Sequence, residues 1–458
     1  ALVGIRAVIR RPARMSAGGP AKPFIRRNFK LGVINGSFWL LARALIDPDT
    51  ILPAFAVALM GDNPLYVGLL VSIFNAGWFW PPLLMTPTMS TRERRHPYYK
   101  ASALVRVGAL VTAWAAAYFL AADYPLIAFV AIGLSYLAFS SGGGVGLIPF
   151  MSVVTDSVPS DRRGRFFAMR FFFGGLMAFL AGFWVKWLLS DESGYTFPYD
   201  YAYLFGVAGL VATVALGAWW PAREPAHKIE TRSLPLRMQL LRGLRRLRRR
   251  PEFRRLVASR VMMSASYGLI VPFLVPYAYK SLAMAEAMVG IALASRVLCY
   301  SMFNIIWSRL SRRYGNRFLM IVGGWVHMVG VVLVLLTPLM PATPLGTLFG
   351  LQFDVRLAVL MLCFGAVGAA RSGQITGQNA YLLDFTPERT RPVYLATYYL
   401  VSLPMAFMPL ATALLIGTRG RYLLSFGLAA AATAVCIAIY ASLTRLRRPG
   451  AEEGKGDG

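Results

Sequence analysis

Two stretches decide the fold of this chain: Asp156-Ser-Val-Pro159-Ser-Asp-Arg162-Arg163-Gly164-Arg165 and Asp384-Phe-Thr-Pro387-Glu-Arg-Thr-Arg391-Pro392. Both read D-x-x-P-x-x-x-R, and each follows directly on a long apolar run, Leu126–Val154 and Leu357–Leu383. A four-position match alone is a common accident. The same match after corresponding apolar runs in two halves of a chain marks an internal repeat. The chemistry suits a helix exit at a membrane surface, because proline cannot continue the helix while Asp and Arg can pair or satisfy free backbone groups.

Outward from these segments the sequence is apolar almost throughout. Of 458 residues, 57% are apolar and 15% charged, with a mean hydropathy of +0.54, whereas soluble proteins carry about a quarter charged residues. That balance excludes a disordered chain, a collagen-like repeat and a disulfide scaffold, and leaves too few polar residues to coat a soluble enzyme. Runs of about 20 residues, enough to cross a bilayer, recur at Leu31–Met60, Leu65–Met89, Ala101–Ala122, Leu126–Val154, Phe166–Leu189 and Tyr201–Trp220. They recur again at Leu256–Tyr279, Met288–Leu310, Phe318–Met340, Leu357–Leu383, Val393–Ile416 and Leu423–Leu443. The pattern predicts an all-α membrane protein with twelve transmembrane helices in two pseudo-symmetric six-helix bundles. The long first and fourth runs are expected to tilt or break. The expected organisation is a basic N-tail over 1–30, a first bundle over 31–220, a linker over 221–255, a second bundle over 256–443 and a C-tail over 444–458. No cleavable signal is expected in the basic N-tail, which lacks an apolar core with a cleavage site, and Met15 is a candidate start.

The formal charge of +28 would suit a nucleic-acid binder, but its placement excludes that partner. Lys and Arg gather in the N-tail, every second loop and the C-tail, and are nearly missing from the intervening loops. This is the asymmetry of a multi-pass protein with both termini in the cytoplasm, and the expectation is a monomer in a bacterial inner (plasma) membrane. In the linker, Leu236, Leu240, Leu241, Leu244 and Leu247 form an apolar stripe with arginines opposite. An amphipathic helix on the anionic cytoplasmic leaflet and a solvated connector both fit this stretch.

The sequence resembles the major facilitator superfamily. The resemblance rests on the twelve runs in two halves, the basic centre and the D-x-x-P-x-x-x-R pair, with Asp156, Pro159, Arg163, Gly164, Arg165, Asp384, Pro387 and Arg391 as cytoplasmic gating residues. Asp49-Thr-Ile-Leu-Pro53 followed by Gly68-Leu-Leu70 is similar to the run joining that family's first two helices, with Asp49 replacing a proline. The family's G-x-L-x-D-R-x-G-R-R loop survives in part as Arg313, Gly315 and Arg317, without its acid. The span-five signature of its antiporters is not reproduced by Gly174, Gly175 and Gly182. The resemblance implies that the two halves rock about a site near the midplane, lined by spans one, four, seven and ten.

Charge inside a membrane costs roughly 2.5–3.5 kcal/mol per central residue on insertion scales and needs a reason. Span one holds Arg43, Asp47 and Asp49 around Pro48. Arg43 and Asp47 are spaced for an ion pair on one helix face; alternatively Asp47 or Asp49 faces the cavity and carries a proton through the cycle. Span ten carries Arg371, Gln374 and Gln378 on one stripe, with Asn379 beside them. Arg371 is expected either to pair with Asp47 or Asp49 or to hold an anionic or hydroxyl-bearing solute. Arg296 and Asn75 are further substrate-binding candidates. The Gly142-Gly-Gly144 stretch of span four is expected to serve packing, and His327 likewise. Arg106, Arg170 and Arg260 lie near cytoplasmic helix ends and are expected to snorkel.

The functional expectation is a secondary transporter of a small organic, anionic solute, coupled to protons. A non-transporting protein of the same architecture that binds a pigment, lipid or partner protein is the alternative. No protease, esterase or nucleotide-binding motif is present, so no enzyme is expected. Cys299, Cys363 and Cys436 lie in apolar runs, and neither a metal nor a cofactor is expected.

Overall fold

The computed structural model describes residues 23–90, 92–224, 236–348, 351–386 and 391–445. The first half comprises α1 (Pro23–Leu45), α2 (Ile51–Met60), α3 (Pro64–Ser90), α4 (His96–Phe119), α5 (Pro125–Ser157), α6 (Ser160–Leu188) and α7 (Tyr199–Trp219). A separate helix, α8 (Leu236–Arg249), follows. The second half comprises α9 (Pro251–Ile270), α10 (Leu274–Leu282), α11 (Met288–Tyr314), α12 (Asn316–Leu336), α13 (Val355–Phe385), α14 (Arg391–Ser402), α15 (Met408–Ile416) and α16 (Tyr422–Ser442). Among the described residues, ten helical segments are long and apolar enough to cross a membrane. The interrupted pair α1–α2 and the helix α3 complete the twelve-crossing arrangement.

Proline explains the interruptions, since it removes a backbone donor and clashes with the preceding turn. The first crossing breaks between α1 and α2 at Pro48, and the seventh breaks between α9 and α10 in a 3-10 turn at Pro272. These are corresponding crossings of the two halves. The eleventh breaks at Pro404, between α14 and α15. The fourth does not break: α5 runs 33 residues through Pro149, about 50 Å, so its length exceeds the ~30 Å apolar core and projects beyond it. Gly315, at φ 87°, turns α11 straight into α12, a conformation that side chains other than hydrogen disfavour. An unforeseen antiparallel pair, β1 (Pro344–Leu348) and β2 (Leu351–Asp354), precedes α13, and Asp354 caps that helix by accepting a hydrogen bond from Leu357 N at 2.7 Å.

Within the first half α4 packs on α5 and α7, and α1 on α6 and α7; within the second, α13 packs on α11 and α12, and α16 on α9 and α12. The halves meet along α6–α11 and α3–α15. Small residues permit that approach: a Cβ on Gly290 would collide with Gly182 O, and one on Gly68 would lie 2.6 Å from Pro409 O. Such contacts are the usual glue between helices that gain no hydrophobic energy from lipid.

The helix α8 docks on the second half through the face that carries Gly243, Arg246 and Leu247, so one end of the leucine stripe is packed against the core. Gly243 abuts Thr397, and Arg246 lies over the Tyr394 ring at 5.0 Å. Leu241 and Leu244 of the stripe remain exposed. The N-tail up to residue 22, the linker segment 225–235, Pro387 and the tail after 445 lie outside the described residues.

Candidate functional site

The interruption of the first crossing creates a charged centre. With α1 ended at Leu45, Asp47 swings off its face and sits at the start of α2. There its Oδ2 accepts hydrogen bonds from Thr50 Oγ1 at 2.9 Å and Asp49 N at 3.2 Å. The positive end of the α2 dipole favours a carboxylate in this place. From the other half, α11 delivers Arg296, whose Nη2 donates to Asp47 Oδ1 at 2.8 Å and to Asp49 Oδ2 at 2.5 Å. Asp47 is thus held by three groups and is 4% exposed, whereas Asp49 has Arg296 alone and a side chain 29% exposed.

This overturns two pairings expected from spacing. Arg43 makes no ion pair with Asp47, because the i,i+4 geometry needs a continuous helix and the helix ends between them. Its guanidinium lies 5.7 Å from the Phe74 ring centroid instead. Arg371 does not reach the acids, which Arg296 already occupies, but sits 4.7 Å over the Tyr267 ring, near enough for its charge to act on Asp49. Tyr267 shortly precedes the second interruption and was not foreseen. The available signal was Pro272 standing in the seventh run where Pro48 stands in the first.

The glutamines of span ten also turn away from the seam. Gln374 is 2% exposed and donates to Gly323 O on α12 at 3.3 Å. Gln378 donates to Tyr440 Oη at 2.6 Å and accepts from Arg260 at 3.1 Å and Tyr398 Oη at 3.0 Å. Both are contacts inside the second bundle, so the expected polar lining is corrected to Arg371 on the seam with Gln378 holding Arg260. Asn75 and Asn379 are half-buried.

The snorkelling expectation fails for the first-half arginines. Arg106 is 5% exposed and lies 3.8 Å over the Trp39 ring; Arg170 is 8% exposed and donates to Gly32 O at 2.5 Å and Asn35 Oδ1 at 3.2 Å. The span-four glycines make room: a Cβ at Gly142 would meet Arg106 Cγ at 2.7 Å, and one at Gly143 would strike the Trp78 ring. His327, expected to pack, is buried beside Ser266 Oγ at 2.9 Å.

Of the repeat residues, Arg163 donates to Val158 O at 3.0 Å and Thr155 O at 2.7 Å, closing the end of α5. Asp384 accepts from Asn316 at 2.7 Å, and Arg317 donates to Tyr440 O and Ala441 O at the end of α16. Arg313 lies over Tyr314, while Pro159, Gly164 and Arg165 are exposed. The side chains of Asp156 and Arg391 lie outside the described set. At the opposite face, charge-poor in the sense that its loops hold few Lys and Arg, and beneath it, the halves are joined directly. Tyr201 Oη donates to Glu286 at 2.7 Å and Leu410 N donates to Ser72 Oγ at 3.0 Å. Burial raises the Glu286 carboxyl above its ordinary value. Together with the Arg296 clamp, these bonds hold one half to the other.

Residues 256–457 match the family model described as Major Facilitator Superfamily. No curated protein sequence matches the chain. Solved structures share its fold at low identity. A bacterial homologue of the iron transporter ferroportin in an inward-facing state has a TM-score of 0.66 at 14% identity, covering 91% of this chain and 98% of its own. A D-xylose-proton symporter gives 0.66 at 14%, covering 92% and 98%. A single-site mutant of the nucleoside transporter NupG gives 0.63 at 12%, covering 92% and 100%.

Proposed function

Given a chain with the major facilitator fold, whose second half matches that superfamily's model, we propose that it is a secondary transporter moving a small organic anion by alternating access, coupled to protons. The observation that carries this reading is the Arg296 clamp: one guanidinium from the second half on two carboxylates from the first, at a helix interruption inside the membrane. Rocking the halves apart at the charge-poor face must break the clamp, and breaking a buried pair leaves costly charge behind. A proton on Asp49 lowers that cost, so protonation and opening become linked. Asp49 is the proton carrier in this scheme because it is the less restrained and more accessible acid; Asp47 positions it and the start of α2.

Anion selectivity follows from the surplus of arginine. Arg43, Arg260 and Arg371 have no carboxylate partner among the described residues. Neutralising one acid leaves the seam still more positive, which favours symport of a proton with an anion. The face bearing the basic loops is the cytoplasmic one in this scheme, in a bacterial plasma membrane, and the arginines of α8 meet its anionic lipids.

The test is uptake into proteoliposomes, with and without a proton gradient, of radiolabelled organic anions beside neutral sugars and nucleosides. Anions accumulate with the gradient in the wild type. Asp49→Asn abolishes gradient-driven accumulation and leaves counterflow exchange. If Asp47→Asn and Asp49→Asn both transport with unchanged pH dependence, the proton role is lost.

A further inference from the structure

Deep in the first half, three rings form a continuous tray. Trp39 of α1 stacks on Phe139 of α5 with centroids 5.7 Å apart, and Phe139 stacks on Phe74 of α3 at 6.4 Å. Each end of the tray carries a guanidinium. Arg106 lies 3.8 Å over Trp39 and 5.4 Å from Phe139, and Arg43 lies 5.7 Å from Phe74. Arg106 is 5% exposed and its Nε has no hydrogen-bond partner, and no ion pair serves either arginine among the described residues.

Ring faces offset only part of the cost of such burial, about 0.5–2 kcal/mol each. Arg106 brings a charge into a dry site with an Nε that has no partner, and Arg43, half-buried at the other end of the tray, adds a second, so an anion beside them would offset the cost of that burial. The fold also invests in the placement. Gly142 is the hollow that receives the Arg106 stem, and Arg43 sits in the last turn of α1, where the helix carbonyls favour a cation.

We infer that Arg43 and Arg106, on the Trp39–Phe139–Phe74 tray, form the oxyanion subsite of the first half, binding the carboxylate or phosphate group of the solute. Guanidinium forks match both groups. The subsite adjoins the Arg296 clamp, since the Arg43 charge also acts on Asp47, and the two divide the work: the clamp senses the proton and the tray holds the solute's charge. This deepens the transport reading above and rests on it for the identity of the ligand as cargo.

The test uses full-length protein in nanodiscs of neutral phosphatidylcholine, with benzoate and phenyl phosphate as anionic probes and benzyl alcohol as the neutral control. Binding is read by Trp fluorescence and by the rise in Tm. At least one anion binds the wild type and the alcohol does not. Arg106→Gln and Arg43→Gln weaken anion binding by about tenfold or more, the loss of a charged hydrogen bond, and Arg106→Lys restores part of it. Without ligand, Arg106→Gln has a Tm equal to or above the wild type, because a purely structural arginine would cost stability on removal. A wild type that binds neither anion, or an Arg106→Gln protein that binds as well as wild type or melts lower without ligand, overturns the subsite. Anions that bind through Arg106 yet never accumulate in proteoliposomes sink the transport reading and leave the subsite standing.

Discussion

The membrane interior holds two polar clusters of opposite kind. Across the seam, Arg296 joins Asp47 and Asp49 through full charges. Inside the second half, Ser266 Oγ lies 2.9 Å from His327 Nε2 and 2.7 Å from Thr433 Oγ1, a buried set of groups whose bonds need no net charge. The first cluster links helices of different bundles; the second links α9, α12 and α16 of one bundle. Charged pairs can be made or unmade by a proton, whereas a neutral hydrogen-bonded network resists opening because every lost bond leaves a dry polar group. In the transport scheme proposed above, the polarity a proton can switch lies where the surfaces part, and the fixed polarity lies where they do not.

Arg296→Gln is expected to have the largest effect. It leaves two acids facing each other without their cation, a loss of about 3–5 kcal/mol from the closed form. Spin labels at Asp62 and Arg419, on the charge-poor face, should then report a longer distance between halves than in wild type. An unchanged distance would show that the clamp does not hold that face shut.

Ser266→Ala is the matching cut in the neutral cluster. It leaves His327 Nε2 without its partner and should lower stability by about 1–3 kcal/mol, seen as a lower Tm. The distance between the two labels and the pH dependence of transport should not move. If either does, the second bundle is not the rigid body that its internal bonding implies.

The smallest effect belongs to the Tyr201–Glu286 bond on the charge-poor face. Burial raises the Glu286 carboxyl, so the folded protein holds its proton more tightly than the unfolded chain. Stability is then greatest at low pH and falls as pH rises from the ordinary carboxylate range through the raised value. Glu286→Gln should flatten this slope in a Tm-against-pH series, with a change within about 1 kcal/mol. A slope identical to wild type would remove Glu286 from the outer contact.

The residues show how far spacing could be trusted. Arg296 was a candidate by depth alone, and the structure makes it the bridge. Arg43 and Asp47 had ideal spacing for a pair that the break just past Leu45 prevents. Gln374 and Gln378 share a stripe with Arg371, yet a stripe on a long helix meets different neighbours along its length, and these two meet α12 and α16. Arg106 was misread because distance from a helix end says nothing about whether lipid or protein surrounds it. Here Trp39, Phe139 and the hollow at Gly142 enclose the side chain.

Repeated membrane crossing, in two helical halves built on one plan, is legible in the residues alone. Those features follow from local, additive properties: the apolar length of each run, and proline and charge at each exit. Which arginine meets which aspartate is a property of the packed helices, because Arg296 and Asp47 are far apart in the chain and meet only where α11 crosses the broken first helix. Electrostatic partnership in a membrane bundle depends on which helix faces the seam and where a helix stops, and neither is written in the spacing of the charges themselves.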